Sequence, residues 1–214
     1  MTESLPIQGA TQAPLRVAVL LSGAGSTLQA IVAARINIEI IAVISDRPEA
    51  AGLAFAQASG FRALCLQRRN YATKLAFEAA MIEALRAVKP DLIVLAGFMR
   101  VLSATMVARF AGQMINLHPS LLPKYPGLDT HARAIAAGDD EHGASLHWVT
   151  AELDGGPVIA QVRTPILPGD TAEALGARLK PLEHALVVSV LAQFAASQKH
   201  KATIELASAS HSLA

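Results

Sequence analysis

Apolar residues along the chain fall into short runs rich in β-branched side chains, separated by longer stretches in which they recur every three or four positions. That alternation predicts βαβ units building a parallel sheet with helices on its faces. Arg16–Ser22 reads as a buried strand, Gly23–Thr27 as a turn and Leu28–Ala34 as a helix. A second strand, Ile38–Ile44, ends at Ser45-Asp46 and leads to a helix from about Gly52 that stops at Gly60, a residue suited to the left-handed position past a helix end. Ala63–Leu66 predicts a third strand and Tyr71–Val88 a long helix halted by Lys89-Pro90. Asp91–Ala96 predicts a fourth strand, whose exit Gly97-Phe98-Met99-Arg100 falls at the carboxyl edge of the sheet, where open α/β proteins place ligands.

A short helix near Ser103–Phe110 precedes a strand over Met114–Leu117, and a proline-rich loop, His118–Thr130, follows it. Loops of that length are uncommon without a function. Strands at Ala144–Val149 and Val158–Thr164 and a helix over Thr171–Phe194 complete the pattern, with Asp170 and Glu173 at capping-box spacing. Residues 1–14 and 198–214 carry no apolar periodicity and read as loose ends around one domain, 15–197.

The length of 214 residues suffices for one well-buried core, and 52% apolar residues exclude a disordered chain. Lys plus Arg number 18 against 17 for Asp plus Glu, so no overall field draws the chain to nucleic acid or to an anionic membrane, and a bound anion must be held locally. No apolar run is long enough to cross a bilayer, and the first residues lack the basic start and apolar stretch of a signal peptide, so the expected compartment is the cytoplasm. The single cysteine, Cys65, excludes an internal disulfide and, within Ala63-Leu64-Cys65-Leu66, is expected to be buried and structural.

Three constellations offer chemistry. Ser22-Gly23-Ala24-Gly25-Ser26-Thr27 lies between a strand and a helix, where free N–H groups and the positive helix end favour phosphate, although a bare tight turn accounts for the same residues. Asp46 stands roughly 20 residues on, as in dinucleotide sites, but Leu28 occupies the third glycine position and no Gly-Lys-Ser/Thr follows for a nucleoside triphosphate. Asn116 and His118 alternate onto one side of their strand, and Pro119 stiffens the exit behind the imidazole, although a lone histidine in a loop is more often structural. Asp154, in Glu152-Leu-Asp-Gly-Gly-Pro157, is either a turn residue or a carboxylate that reaches back to His118 and orients its ring. Asp139-Asp140-Glu141-His142 reads as a solvated helix exit rather than a metal site, and Ser120 lacks the Gly-x-Ser-x-Gly elbow of a hydrolase nucleophile.

Together these strings, with Leu95-Ala-Gly-Phe-Met-Arg100 and Asn116-Leu-His-Pro-Ser-Leu-Leu-Pro-Lys-Tyr-Pro-Gly127, resemble the folate-dependent formyltransferases from about Val17 to Phe194. The resemblance implies a Rossmann-like α/β fold, an open, mostly parallel twisted sheet flanked by helices with antiparallel C-terminal strands. It implies transfer of a formyl group from 10-formyltetrahydrofolate, as cosubstrate and without a metal, and is nearest to members that formylate the glycinamide amine of glycinamide ribonucleotide in purine biosynthesis. By the same resemblance Asn116, His118 and Asp154 are catalytic, the first two toward the formyl oxygen and the third toward His118 and proton relay. Gly23, Ala24, Gly25, Ser26, Thr27, Gly97, Met99, Lys180 and Glu183 would hold the phosphoribosyl substrate; without the resemblance, Lys180 and Glu183 read as solvated helix positions. Arg100, Val101, Leu102, Val107 and Val149, with Asn116 and Asp154, would hold the folate.

The chain departs from many relatives at Ala24 and Thr27, where they carry Asn, and from some at Asp129, where they carry His. Members acting on tRNA normally add a C-terminal RNA-binding domain, and folate hydrolases an N-terminal regulatory one. With about 20 residues after the last helix and a first strand near Arg16, small-molecule substrates are expected, with no nucleic acid or membrane partner, in a monomer or homodimer.

Overall fold

A computed structural model describes residues 13–197. The chain runs β1 (Leu15–Leu21), α1 (Ser26–Ala33), β2 (Ile38–Ser45), α2 (Ala51–Ala58), β3 (Ala63–Cys65), a 3-10 turn (Arg68–Asn70), α3 (Lys74–Val88), β4 (Leu92–Leu95), α4 (Ala104–Arg109), β5 (Met114–His118), α5 (Thr130–Ala136), β6 (Glu141–Trp148), β7 (Val158–Pro165) and α6 (Ala172–Ala196). The strands form one 7-stranded sheet in the order β3-β2-β1-β4-β5-β6-β7. β1 to β5 pair parallel, and β6 and β7 add antiparallel at the far edge, the predicted arrangement. Apart from residues 13 and 14, the ends expected to be loose lie outside the described residues.

Alternation along β1 builds both halves of the core. Val17, Val19 and Leu21 pack with Leu28 and Ile31 of α1, Leu53 of α2 and Leu179, Val187 and Leu191 of α6. Ala18 and Leu20 point the other way, into Phe77, Met81 and Leu85 of α3 and Met106 of α4. With both sides covered, the run is apolar throughout, as a central parallel strand requires. β1 lies between β2 and β4, so the order reverses there and a crevice opens above the strand ends. Across it Ser22 donates its N–H to the Gly97 carbonyl at 3.0 Å, and its hydroxyl accepts the Met99 N–H at 2.9 Å.

Several expectations are corrected. The long helix starts at Lys74 rather than Tyr71, because the Thr73 side chain accepts the Ala76 N–H and sets its first turn. In the last helix Thr171 is the cap, accepting from Ala174; Asp170 instead takes the Leu167 N–H and pairs with Arg178. Cys65 is exposed, because β3 is a three-residue edge strand and Cys65 is its last residue. Its thiol is pushed up by partial burial and by Asp46 and Glu49, against Arg69, the opposite of a nucleophile's environment. The Asp139–His142 run is a solvated exit only in part: Asp140 is exposed and Glu141 meets Arg163 at the surface, but Asp139 pairs with Lys124 and His142 is buried in β6 against His131.

Candidate active site

β5 ends at the crevice and carries two of the predicted groups. Antiparallel register sets Asn116 opposite His147 and His118 opposite Ser145 on β6. His147 donates from Nδ1 to the Trp148 carbonyl at 2.9 Å, which leaves its Nε2 facing Asn116 Nδ2 at 3.1 Å. The Ser145 hydroxyl donates to the Ser120 carbonyl and accepts the Leu122 N–H and a Gln161 amide, pinning the chain just beyond His118. Ser120 is fully buried and spends its own hydroxyl on the Lys124 carbonyl at 2.6 Å, so it is no nucleophile. His118 itself is 5% exposed, with Nε2 on the Tyr125 carbonyl at 2.9 Å.

Asp154 arrives from the loop between β6 and β7 in the left-handed region (φ 52°), a conformation that a non-glycine side chain adopts only when its surroundings impose it. Gly156 lets this loop press on β6, since a Cβ there would meet the Trp148 carbonyl at 1.8 Å. The carboxylate sits 3.4 Å from His118 Nδ1, 3.4 Å from Asn116 Nδ2 and 3.6 Å from His147 Nε2, and accepts the Gly127 N–H at 2.8 Å. Burial pushes its pKa up, but the contacts with His147 and Gly127 and the charge of His118 outweigh this and hold it below the ordinary aspartate value. Sequence reasoning paired Asp154 with His118 and missed both His147 and the Gly127 N–H. The signal for His147 was its place in the same alternating strand as Ser145.

A cavity of about 660 Å³ opens on this group. Leu102, Val107 and Val149 give it apolar walls, Arg100 and Arg47 bring charge, and Gly97, Met99, Val101, Asn116, His118 and Asp154 line it as well. The size and lining suit a small organic ligand with a few fixed polar contacts. Arg100 is held in place by Asp46, whose carboxylate takes Arg100 Nε and the Ser22 hydroxyl, each at 2.6 Å. Asp46 is therefore a buried anchor for the pocket wall, not a free acceptor for a dinucleotide ribose.

Gly23, Ala24, Gly25, Ser26, Thr27, Lys180 and Glu183 do not line that cavity; they form a neighbouring station. Gly25 (φ 72°) precedes α1 and packs on Gly52 at the start of α2; a Cβ on Gly25 would lie 2.4 Å from the Gly52 Cα. Thr27 is buried, so this station offers Ser26 and backbone N–H groups. His184 on α6 reaches Ser26 Oγ at 3.2 Å, which brings the preceding turn of α6 to the same place. There Lys180 is half exposed and pairs at 2.6 Å with Glu183, which is buried rather than solvated as the sequence alone suggested. His131 lines the cavity and feels both charges: burial lowers its pKa, Glu183 opposes this and Lys180 adds to it. The two stations thus adjoin through His131.

An open α/β crevice with amide, imidazole and carboxylate around a cavity offers the donors and the acceptor that acyl transfer needs, and the buried Ser120 is not placed to attack. The chain belongs to the formyl transferase family, whose model matches residues 15–191. It is 44% identical over 185 residues to the phosphoribosylglycinamide formyltransferase of Escherichia coli (strain K12), covering 85% of this chain and 87% of that one. It is 42% identical over 175 residues to the trifunctional purine biosynthetic protein adenosine-3 of Drosophila melanogaster, covering 79% of this chain and 13% of that protein. Among solved structures, the phosphoribosylglycinamide formyltransferase of Coxiella burnetii matches with a TM-score of 0.82 and 48% identity, covering 86% of this chain and 88% of that one.

Proposed function

We propose that this enzyme transfers the formyl group of 10-formyltetrahydrofolate to the glycinamide amine of glycinamide ribonucleotide, giving formylglycinamide ribonucleotide and tetrahydrofolate, in purine biosynthesis. The observation that carries the reading is the convergence of Asn116, His118 and Asp154 on a cavity that adjoins the Gly23–Thr27 turn, Lys180 and Glu183. The family and the enzymes to which the chain is similar support the same reaction.

Attack of a neutral amine on a formyl carbon puts negative charge on oxygen and positive charge on nitrogen, so the site must offer donors to one and an acceptor to the other. Asn116 Nδ2 is one donor, and His118, whose Nε2 proton goes to the Tyr125 carbonyl, is the other when it acts as the imidazolium and donates through Nδ1. Their contacts with Asp154, 3.4 Å each, are long for hydrogen bonds, so a carbonyl oxygen seated beside them competes well. Asp154, kept ionised by its contacts, orients His118 and passes the amine proton through water to the folate nitrogen, which leaves as its bond to the formyl carbon breaks. Leu102, Val107 and Val149 bury the flat ring system of the donor, and the backbone of 149–154 reads its edge. Ser26 and the N–H groups of the turn, with Lys180, take the phosphate, and Glu183 accepts from ribose hydroxyls.

Thermal denaturation with each ligand tests the pairing of stations. A folate and glycinamide ribonucleotide, each at about 100 times its Kd, are expected to stabilise the fold by about 2.7 kcal/mol and raise Tm by several degrees, with NAD inert. A protein stabilised by NAD, and by neither of the other two, contradicts the reading.

A further inference from the structure

One short strap supplies two of the backbone groups that grip the catalytic pair: the Tyr125 carbonyl on His118 Nε2 and the Gly127 N–H on Asp154 Oδ2. The strap is strained. Tyr125 (φ 57°), Gly127 (φ 82°) and Asp129 (φ 56°) all occupy the left-handed region, which glycine takes freely and aspartate at small cost, but which a bulky tyrosine takes only under constraint. Something must over-determine such a backbone for it to persist. Arg133, on α5, donates through Nη1 to the Pro126 carbonyl at 2.6 Å and the Leu128 carbonyl at 3.3 Å, the residues on either side of Gly127. Its guanidinium carbon also lies 5.2 Å from the centroid of the Tyr125 ring. A single Nη1 therefore touches the strap on both sides of the N–H that reaches Asp154 while the planar guanidinium faces the Tyr125 ring, and it is the two contacts together that call for arginine. Lys124 and the Tyr125 hydroxyl tie the strap's outer end to Asp139.

We propose that Arg133 is a positioning residue for formyl transfer: it clamps Tyr125–Asp129 in its left-handed path and so keeps the Gly127 N–H on Asp154 and the Tyr125 carbonyl on His118. Its kinetic consequence rests on the function proposed above; its geometric consequence does not. The polar groups that face the Asp154 carboxylate are Asn116 and His118 from β5, His147 from β6 and Gly127 from the strap, and Arg133 reaches it through two of them: the Gly127 N–H directly, and His118 by way of the Tyr125 carbonyl. Loosening that N–H removes one of the contacts that hold the carboxylate ionised against its burial.

The test is a carbon NMR titration of the Asp154 carboxyl group in the ligand-free protein, parent against Arg133→Ala, in low salt and in about 1 M salt, where charges beyond about 3 Å are screened. The midpoint is expected to move to higher pH in Arg133→Ala and to stay moved in high salt. With both substrates, Arg133→Ala is expected to lose about tenfold in kcat while each KM changes by less than about twofold. Arg133→Lys, which keeps the charge without the planar fork, is expected to shift in the same direction, and it supplies the titration should the alanine variant fold poorly. An unmoved midpoint, or a shift abolished by salt, overturns the clamp. A moved midpoint in a protein whose parent transfers no formyl group leaves the clamp standing and removes the proposed function alone.

Discussion

Asn116 and His118 owe their shared direction to strand alternation, and this was legible before any coordinates, because two residues along a strand return a side chain to the same face. Asp154 was legible only as a candidate: the 35 residues of sequence between it and His118 carry no periodic signal, and a left-handed turn at a non-glycine residue is not written in composition. His147 and Glu183 were misjudged or missed for a related reason, since their burial depends on which strand or helix lies across from them. Cys65 failed the other way, its apolar neighbours suggesting depth where an edge strand gives exposure. If the three polar groups act on the reacting carbonyl rather than on binding, Asn116→Ala, His118→Ala and Asp154→Asn each lower kcat by about two orders of magnitude or more with KM nearly unchanged. Steady-state kinetics check this, and near-parent kcat in any variant removes that residue's role.

Most strands and helices followed from apolar periodicity, with errors at their ends, but the short α5 was not assigned because it directly follows the proline-rich loop and is too brief to show a period. Thr73 and Thr171 are caps that apolar periodicity does not reveal; at Thr171 the neighbouring Asp170 carboxylate is an equally good candidate until the chain's path turns it to the Leu167 N–H. The turn between β1 and α1 is shorter than Gly23–Thr27, since α1 already begins at Ser26, and what it packs against was not visible. Gly52 comes within van der Waals contact of Gly25, and a Cβ on Gly52 would lie 2.7 Å from the Gly25 Cα and 2.9 Å from Leu21 Cδ2. Both neighbours belong to packed backbone or core, so little can give way. Gly52→Ala is expected to destabilise the fold by about 1–3 kcal/mol and to displace the turn. Denaturant melts and the KM for the phosphoribosyl substrate measure the two effects. A stable variant with unchanged KM would show that α2 does not support the turn.

The sheet order places both halves of the reaction at one reversal of the chain, and the order was predictable in class because βαβ units close only a few ways. The antiparallel β6 and β7 then carry His147 and the Asp154 loop back to β5. The same closure buries His142 beside His131, and burial, joined by the charge of His131 and opposed by a hydrogen bond with the Pro119 backbone and by Asp139, lowers its pKa from 6.5 to about 4. The folded value lies below the unfolded one, so the unfolded chain takes up the proton more readily between those limits. The neutral ring therefore costs nothing above pH 6.5, and stability falls as pH drops toward 4, by a total on the order of 3 kcal/mol. Urea melts across that range should show the loss in the parent and a flatter dependence in His142→Gln; parallel curves would locate the acid sensitivity elsewhere.

The claim on which the rest depends is that the carbonyl site and the phosphate station serve one transfer. Following loss of the formyl group from 10-formyltetrahydrofolate by absorbance, with and without glycinamide ribonucleotide, tests it most directly. Turnover that requires the ribonucleotide and yields one formylated amine per folate consumed is the predicted result. Equal consumption of the folate in its absence, or none in its presence, would contradict it.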